Sequence, residues 1–239
     1  MRRARLLLKL CAIAATSRST RLFYDRISPF YELMFTDHLT DIATMTDAAT
    51  EMFPTRDDIR VLDIACGTGV LSRRLRERGF RVTGIDFSFQ SLCCLHEAEK
   101  NIRLVQADAG YLPLRPSSFD LVTCMGAWRH FHEPELVVSE IRRVLRPTGV
   151  FVVGYFPPKL GGLVSAPSGS AGRAVAFSYA SLMRVLNYDD RVDQRLESQT
   201  LEMISRLFTR NRLISSGRNR YLILAELPRQ EVSSKSANY

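Results

Sequence analysis

The sequence predicts an α/β protein with one mostly parallel sheet and helices on both faces, and three observations carry this prediction. Short apolar runs alternate with amphipathic helical patterns over residues 59–153. The first run ends in a turn with two glycines, and acidic residues mark the ends of three successive runs. Such alternation is typical of parallel strands joined by right-handed crossovers. A chain of 239 residues with 46% hydrophobic and 24% charged residues is sufficient to build that core.

The first half of the pattern is regular. Residues 59–64 form a continuous apolar run that ends in small residues, which predicts a buried strand. Residues 69–78 place apolar side chains on one side and arginines on the other, which predicts a helix that ends at Gly79. The same reasoning predicts further strands at 81–85, 102–105 and 119–124 and a helix at 88–100.

The second half is interrupted by a long loop. A helix is predicted at 134–146 because Pro134 and Glu135 favour a first turn, and residues 147–149 break it. Residues 157–172 contain three prolines and four glycines, which predicts a mobile loop. The other predicted elements are a strand at 150–153, helices at 177–187 and 190–210, and a closing antiparallel hairpin at 212–216 and 220–227, giving seven strands.

The net charge of +8 is concentrated near the ends of the chain. No acidic residue precedes Asp25, and a second basic cluster lies at 206–220. The N-terminal segment fits a signal peptide, an amphipathic helix of residues 1–20 on an anionic membrane surface, or a docking helix with solvated arginines. Lys9 interrupts the apolar run and weighs against the signal peptide, whereas the other two interpretations remain open. Residues 1–22 contain no aromatic side chain, which argues against a nucleic-acid partner.

Other features of the composition limit the function classes. No apolar run approaches the roughly eighteen residues that a membrane-spanning helix needs. The five cysteines are odd in number and have no CxxC spacing, which argues against a disulfide scaffold and a zinc site. We therefore expect no metal and a reducing, cytoplasmic compartment.

The sharpest motif is VLDIACGTG at residues 61–69. A strand ends near Asp63 and turns through Gly67 and Gly69, where the missing side chains allow a ligand to approach the backbone. Asp86 ends the second strand seventeen residues after Gly69, and Asp108 follows the third. All three acids are expected at one edge of the sheet, which is where ligands of open α/β sheets bind.

Two cofactor classes compete for this edge. A dinucleotide-binding site typically has a third glycine, which allows helix and strand to pack closely, whereas this chain has Ser72 at that position. S-adenosylmethionine has no phosphate but carries an ammonium group and a sulfonium cation. A carboxylate at Asp63 would suit the ammonium group and would be poorly placed beside a pyrophosphate. The charges therefore favour the methyl donor.

With these motifs in order, the chain resembles the class I S-adenosylmethionine-dependent methyltransferases. Within that family it is most similar to the ubiquinone and menaquinone biosynthesis C-methyltransferases and their phospholipid N-methyltransferase relatives. The similarity covers about residues 22–155 and implies a Rossmann-like fold. The matching stretches are the glycine-rich motif at 63–69, Asp86, Asp108 with Ala109, and residues 24–34, 118–122 and 141–149.

The resemblance also implies roles for particular residues. His130 is the catalytic candidate, either as a general base or as the group that orients the acceptor, although a histidine on a short helix is often only hydrogen-bonded. The residues implied to hold the cofactor are Asp63, Ala65, Gly67, Gly69, Asp86, Phe87, Asp108, Ala109 and Met125. Those implied to contact the acceptor are Tyr24, Tyr31, Trp128 and Arg129. Packing between helices is the alternative for the two tyrosines, and core packing is the alternative for Trp128.

The predicted organisation is a helical cap at 1–55 and a catalytic domain at 56–239 with a substrate-side insert at about 155–200. The predicted function is methyl transfer to a small, apolar acceptor such as a quinone precursor. Residues 125–132 and 157–172 depart from the quinone subgroup's pattern, so a phospholipid headgroup amine or a specialised metabolite stays open as acceptor. A non-catalytic S-adenosylmethionine-binding module is a third hypothesis. Ser72 and Asp63 argue against a nicotinamide-dependent oxidoreductase, and the sequence leaves the oligomeric state open.

Overall fold

The computed structural model describes the central part of the chain and short stretches on either side of it. The described residues are 9–10, 12–13, 16–34, 39–55, 58–155, 199–200, 202–208, 210–215 and 221–227. The helices are α1 (Thr20–Ile27), α2 (Tyr31–Met34), α3 (Leu39–Met52), α4 (Val70–Glu77), α5 (Phe89–Ala98) and α6 (Pro134–Val144), with 3₁₀ turns at Ser28–Phe30 and Trp128–His130. The strands are β1 (Arg60–Ile64), β2 (Arg81–Asp86), β3 (Arg103–Gln106), β4 (Phe119–Met125), β5 (Leu145–Tyr155), β6 (Arg210–Ser215) and β7 (Tyr221–Glu226).

These strands form one sheet in the order β3-β2-β1-β4-β5-β7-β6. The pairs among β1 to β5 are parallel, whereas β7 runs antiparallel to both β5 and β6. The predicted α/β class, the mostly parallel order and the C-terminal antiparallel strand pair are therefore confirmed. The order reverses between β1 and β4, and the crevice at such a reversal is the usual ligand position in this architecture.

Alternate residues of the central strands pack on opposite faces of the sheet. Leu62 and Ile64 join a core that includes Val138 of α6, whereas Val61 joins a second core with Leu75 of α4 and Met45 of α3. All six side chains are fully buried. This period of two, with apolar residues on both faces, explains why the strands read as continuous apolar runs.

The junction between α6 and β5 differs from the prediction. The helix ends at Val144 rather than at 146, and the strand begins at Leu145 rather than at 150. Leu145 pairs with Phe119 and Val150 pairs with Leu121, so residues 146–149 bulge opposite a single residue. Residues 147–149 were predicted to break the chain between helix and strand. They instead form a bulge within β5, because Leu145 and Val150 on either side pair with β4.

The N-terminal segment packs against the domain where it is described. Leu10 is fully buried, and the Lys9 ammonium lies 4.1 Å from the centre of the Phe30 ring. An Arg26 guanidinium N–H donates to the Thr16 carbonyl at 3.2 Å. These contacts favour the docking interpretation for Lys9, Leu10 and Thr16, while residues 1–8 lie outside the described part of the chain.

Several predicted elements lie partly or wholly outside the described residues. The loop at 157–172 and the helix at 177–187 lie outside the described residues. Of the helix predicted at 190–210, residues 199–200 and 202–207 are helical, and Arg210 already belongs to β6. Among the described helices, none is long and apolar enough to cross a membrane.

Candidate functional site

A cavity of about 250 Å³ lies at the carboxyl ends of β1 to β4. Each of these strands supplies wall residues where it ends, because parallel strands bring their carboxyl ends to one edge of the sheet. The first turns of α1 and α6 close the cavity from two sides, through Thr20 and Leu136. The cavity is thus the ligand crevice that the order of the strands predicts.

The turn after β1 presents bare backbone to this cavity. Ala65 and Gly67 both line it, and both have positive φ, 54° and 55°. A side chain at Gly67 would meet no atom within 4 Å, so the glycine leaves open space against the cavity. The N–H of Cys66 donates to the Ile85 carbonyl at 3.0 Å, which ties the turn to the end of β2.

Asp86 is the anchor of the site. One carboxylate oxygen accepts the N–H of Gly67 and the other accepts the N–H of Ser88, both at 2.8 Å. Asp86 is only 5% exposed, yet it lines the cavity. Burial raises the pKa of this carboxyl to about 6, although the N–H donors oppose that rise. A carboxylate fixed in this way presents its remaining lone pairs to vicinal hydroxyls such as those of a ribose.

The loop after β3 supplies the opposite wall. Asp108, Ala109, Gly110 and Tyr111 line the cavity in sequence. The Asp108 carboxylate accepts the N–H of Gly110 at 2.8 Å, which is an Asx turn. Asp108 therefore shapes the loop and also lines the cavity wall.

Seven of the nine residues predicted to hold the cofactor line this cavity, and Asp63 and Gly69 do not. The Asp63 carboxylate is 2% exposed and accepts the hydroxyls of Ser72 at 2.5 Å and Thr123 at 2.9 Å. Desolvation raises the pKa of Asp63 to about 6. In this structure the Asp63 carboxylate joins the end of β1 to α4 and β4.

Gly69 packs closely against Leu95 and does not line the cavity. A Cβ at this position would lie 2.2 Å from Cδ1 of Leu95, and the backbone φ is +80°. The Gly69→Ala variant is therefore expected to lose about 2–4 kcal/mol of unfolding free energy, from overpacking and from left-handed backbone strain. Urea unfolding measures this loss.

Gly126→Ala is the matched control for that measurement. Its φ of +70° imposes comparable backbone strain, but a Cβ there meets no atom within 4 Å. We expect it to lose about 1 kcal/mol. Equal losses in the two variants would contradict the packing role of Gly69.

Tyr24 and His130 meet at one side of the cavity. A hydrogen bond of 2.9 Å joins Tyr24 Oη and His130 Nε2, and the two rings meet edge to face. Tyr24 also contacts the Phe87 ring, with centroids 6.2 Å apart. Burial, followed by the neighbouring Arg129 charge, lowers the pKa of His130 to about 4, so its imidazole is neutral near pH 7.

The other predicted acceptor residues divide into two groups. Tyr31 lines the cavity, whereas Trp128 and Arg129 do not. Trp128 is 1% exposed and packs against Phe131 and Phe151 in the core. For Trp128 the structure thus favours the core-packing alternative.

The structure adds contacts that the sequence could not reveal. Asp25 of α1 accepts the Ser88 hydroxyl at 2.7 Å, and the hydroxyls of Ser28 and Ser91 lie 2.6 Å apart. These bonds dock the N-terminal helices onto the start of α5. Cavity residues outside the predicted set are Thr20, Thr68, Ile85, Ser91, Ala107, Gly110, Tyr111, Gly126, Ala127, Phe131, His132, Glu133 and Leu136.

The residues present fit an S-adenosyl ligand. Thr68 lines the cavity with a buried hydroxyl that has no hydrogen-bond partner within the described part of the chain. A buried unpaired hydroxyl is costly unless a ligand completes it. With Asp86 able to accept hydroxyls and apolar walls at Ala107 and Met125, the site offers both polar and apolar contacts to a nucleoside. In the described residues, no group of three or more acidic, histidine or cysteine side chains is placed to hold a metal ion.

Comparison with known families agrees with this geometry. Residues 62–153 match the model of a family described as a methyltransferase domain. Residues 62–153 are therefore a methyltransferase domain. The matched region runs from β1 through β5 and contains the glycine turn, Asp86 and the loop around Asp108.

Several curated proteins are similar to the chain at modest identity. It is 35% identical over 146 residues to a demethylmenaquinone methyltransferase of Thermus thermophilus, covering 56% of this chain and 64% of that protein. It is 37% identical over 95 residues to a ubiquinone biosynthesis O-methyltransferase of Idiomarina loihiensis, covering 38% and 39%. A malonyl-[acyl-carrier protein] O-methyltransferase of Enterobacter lignolyticus is 35% identical over 127 residues, covering 53% and 49%. The chain thus spans less than two thirds of the length of each of these relatives.

A solved structure extends the likeness of the fold. A crystal structure titled as a putative S-adenosyl-L-methionine-dependent methyltransferase from Methanococcus maripaludis superposes with a TM-score of 0.63. The alignment covers 89% of this chain and 95% of that one, at 17% identity. At that identity the likeness concerns the fold, which is the Rossmann-like fold that the resemblance implied.

Proposed function

We propose that the protein transfers a methyl group from S-adenosylmethionine to a small, apolar acceptor such as a quinone precursor. The observation that carries the proposal is the Asp86 carboxylate, which faces the cavity and is held by the N–H groups of Gly67 and Ser88. Its position at the end of β2 suits the two hydroxyls of a ribose. The quinone-methylating relatives support this class of acceptor.

The lining of the cavity favours an acceptor without a negative charge. Among the described residues, its walls contain no lysine or arginine. They do contain three carboxylates, those of Asp86, Asp108 and Glu133. A phosphate group would be repelled by this lining and would find no arginine fork there. Aromatic walls instead suit a planar ring; they are Tyr24, Tyr31, Phe87, Tyr111 and Phe131.

The cofactor, when bound, supplies a methyl group on a sulfonium and is left as a neutral thioether. The protein's main contribution is alignment of the acceptor, since orientation alone supplies about 7–11 kcal/mol in favourable cases. A hydroxyl or carbon acceptor must also lose a proton. We propose that the His130 imidazole accepts it, because this ring is neutral and lines the cavity. Tyr24 orients the ring through the hydrogen bond between its hydroxyl and Nε2.

We propose that residues 1–55 act as a helical cap over the catalytic domain at 56–239. The bonds from Asp25 to Ser88 and from Ser28 to Ser91 support this role, because they hold α1 and the following turn against the cavity. A closed cap excludes water from the reacting groups. The insert at about 155–200 would complete the acceptor side.

Isotope transfer tests the proposed function. The full chain is incubated with methyl-labelled S-adenosylmethionine and fractionated cellular lipids, and the labelled product is identified. We expect label in an apolar, quinone-like fraction that a phospholipase leaves intact. Label in a phospholipid headgroup would point to the alternative acceptor. Tight binding of the donor without transfer to any fraction would favour a non-catalytic binding protein.

We further propose that the N-terminal basic segment contacts an anionic membrane surface, where apolar acceptors reside, and that the protein works in the cytoplasm, where the methyl donor is made. Because Leu10 is buried, charge substitution is a cleaner test than deletion of residues 1–20. A triple serine variant at Arg2, Arg3 and Arg5 is expected to sediment less with anionic liposomes. The control variant replaces three exposed arginines elsewhere with serine, namely Arg74, Arg103 and Arg142. Equal sedimentation of both variants would contradict the membrane contact.

A further inference from the structure

We propose that Glu140 and Arg143 are a positioning pair that holds the loop 107–114 in the shape that receives the nucleoside. The proposal rests on the proposed function, because it concerns the same cavity. Neither residue lines the cavity, and both lie near the end of α6. Their effect on a ligand therefore passes through the backbone of the loop.

The Arg143 guanidinium holds the loop through two carbonyl groups. Nη1 donates to the Leu114 carbonyl at 2.8 Å, and Nη2 donates to the Leu112 carbonyl at 2.9 Å. The planar fork of an arginine makes two such bonds in a fixed relative direction. The distance between α6 and residues 112–114 is thereby fixed.

Glu140 completes the clamp from the same face of the helix. Its Oε2 accepts the N–H of Leu112 at 2.8 Å and the Nη2 of Arg143 at 2.7 Å, while Oε1 accepts Nε of Arg143 at 2.6 Å. The N–H and the carbonyl of Leu112 are thus both bonded to this pair. Hydrogen bonds from Arg143 lower the pKa of Glu140, so the carboxylate stays ionised.

The loop depends on outside partners because it forms no helix or strand. Residues 107–118 contain only turns and bends, and Asp108 to Tyr111 line the cavity directly before the clamped Leu112. The last turn of α6 also accepts the N–H groups of Ser117 and Ser118, through the carbonyls of Arg143 and Val144. The helix therefore positions the loop from its middle to its end.

The pair is only partly buried, which separates its local role from global stability. Its side chains are 34% exposed at Arg143 and 19% at Glu140. Ion pairs with this exposure contribute little to the stability of a domain. Loss of the clamp is therefore expected to loosen the loop without unfolding the sheet.

Binding and hydrogen exchange test the proposal. Arg143→Gln and Glu140→Gln are each expected to weaken binding of S-adenosylhomocysteine about tenfold in calorimetric titration, as one lost charged hydrogen bond would. In the ligand-free chain, amide exchange of residues 108–114 should become faster while exchange of the strands is unchanged. The double variant should lose little more than either single variant, because both act on one clamp. Arg143→Lys should not restore affinity, since an ammonium cannot form the fork.

Arg142→Gln is the matched control, because it removes an exposed arginine from the same turn of α6. We expect its affinity and exchange to equal those of the wild type. Wild-type affinity and unchanged loop exchange in both clamp variants would overturn the positioning role, as would faster exchange throughout the sheet. Failure of the wild type itself to bind S-adenosylhomocysteine would instead overturn the proposed function, so the two failures are distinguishable.

Discussion

Asp86→Asn is expected to weaken binding of S-adenosylhomocysteine about 100-fold. The substitution keeps the shape of the side chain but removes the charge that accepts ligand hydroxyls, and hydrogen bonds to a charged group contribute about 1.5–3 kcal/mol each. In the wild type, the N–H groups of Gly67 and Ser88 both donate to the carboxylate. In the variant, the amide NH₂ group would face one of these two donors, and that hydrogen bond would be lost. Calorimetric titration of the purified full chain measures the loss.

The pH dependence of binding provides an independent test of the same residue. Asp86 has a pKa of about 6, so it is ionised above that pH and protonated below it. Affinity for the ligand should therefore fall as the pH drops through about 6, and the Asp86→Asn variant should lose this dependence. Asp63 titrates in the same range, but its carboxylate does not line the cavity, so it should contribute little to the pH dependence of binding.

Asp47→Asn serves as the control for Asp86, because it changes an exposed carboxylate on α3 that pairs with Arg78. Its affinity should match that of the wild type at every pH. If Asp86→Asn bound the ligand as tightly as this control, the ribose assignment would be wrong.

His130→Gln is expected to lower kcat for methyl transfer at least 100-fold while donor affinity changes less than twofold. General-base catalysis contributes about 10²–10⁴ in rate, and glutamine keeps a polar group near Tyr24 without a basic nitrogen. Because the pKa of His130 is about 4, the wild-type rate should show no loss from histidine protonation between pH 6 and 8. Tyr24→Phe should lower the rate less, since it removes only the hydroxyl that orients Nε2.

His96→Gln is the control for His130, since His96 is exposed on α5 away from the cavity. The readout is initial rate with labelled donor and the acceptor identified by isotope transfer. Full activity in His130→Gln would show that His130 is not the general base and that its role is its contact with Tyr24.

The sheet could be predicted from the sequence because most of its strands are short apolar runs that can be recognised without knowledge of the rest of the chain. The apolar run of β1, for example, has to be buried on both faces, and only a parallel sheet covered by helices buries both. The glycine turn and the acids near three strand ends likewise predicted the edge at which a ligand binds. Asp86 and Asp108 meet at the cavity as expected, because topology alone brings strand ends together.

Local pattern failed where a residue's neighbours come from distant parts of the chain. Asp63 and Asp86 both lie near the end of a strand in the sequence. In the structure, the Asp63 carboxylate accepts the hydroxyls of Ser72 and Thr123, whereas the Asp86 carboxylate lines the cavity. The break predicted at 147–149 became a bulge, because Leu145 still pairs with Phe119 across the sheet.

The sequence by itself determined the fold class and the edge of the sheet at which the cavity lies, since both follow from local periodicity or from a short contiguous motif. Only the tertiary structure decided which carboxylate faces the cavity, that Tyr24 contacts His130, and that Glu140 and Arg143 bind the loop around Leu112. Hydrogen bonds act over about 3 Å, and the partners in these cases lie from 9 to 106 residues apart in the chain. No local sequence pattern shows which of these side chains will come within hydrogen-bonding distance, because that depends on how the helices pack on the sheet.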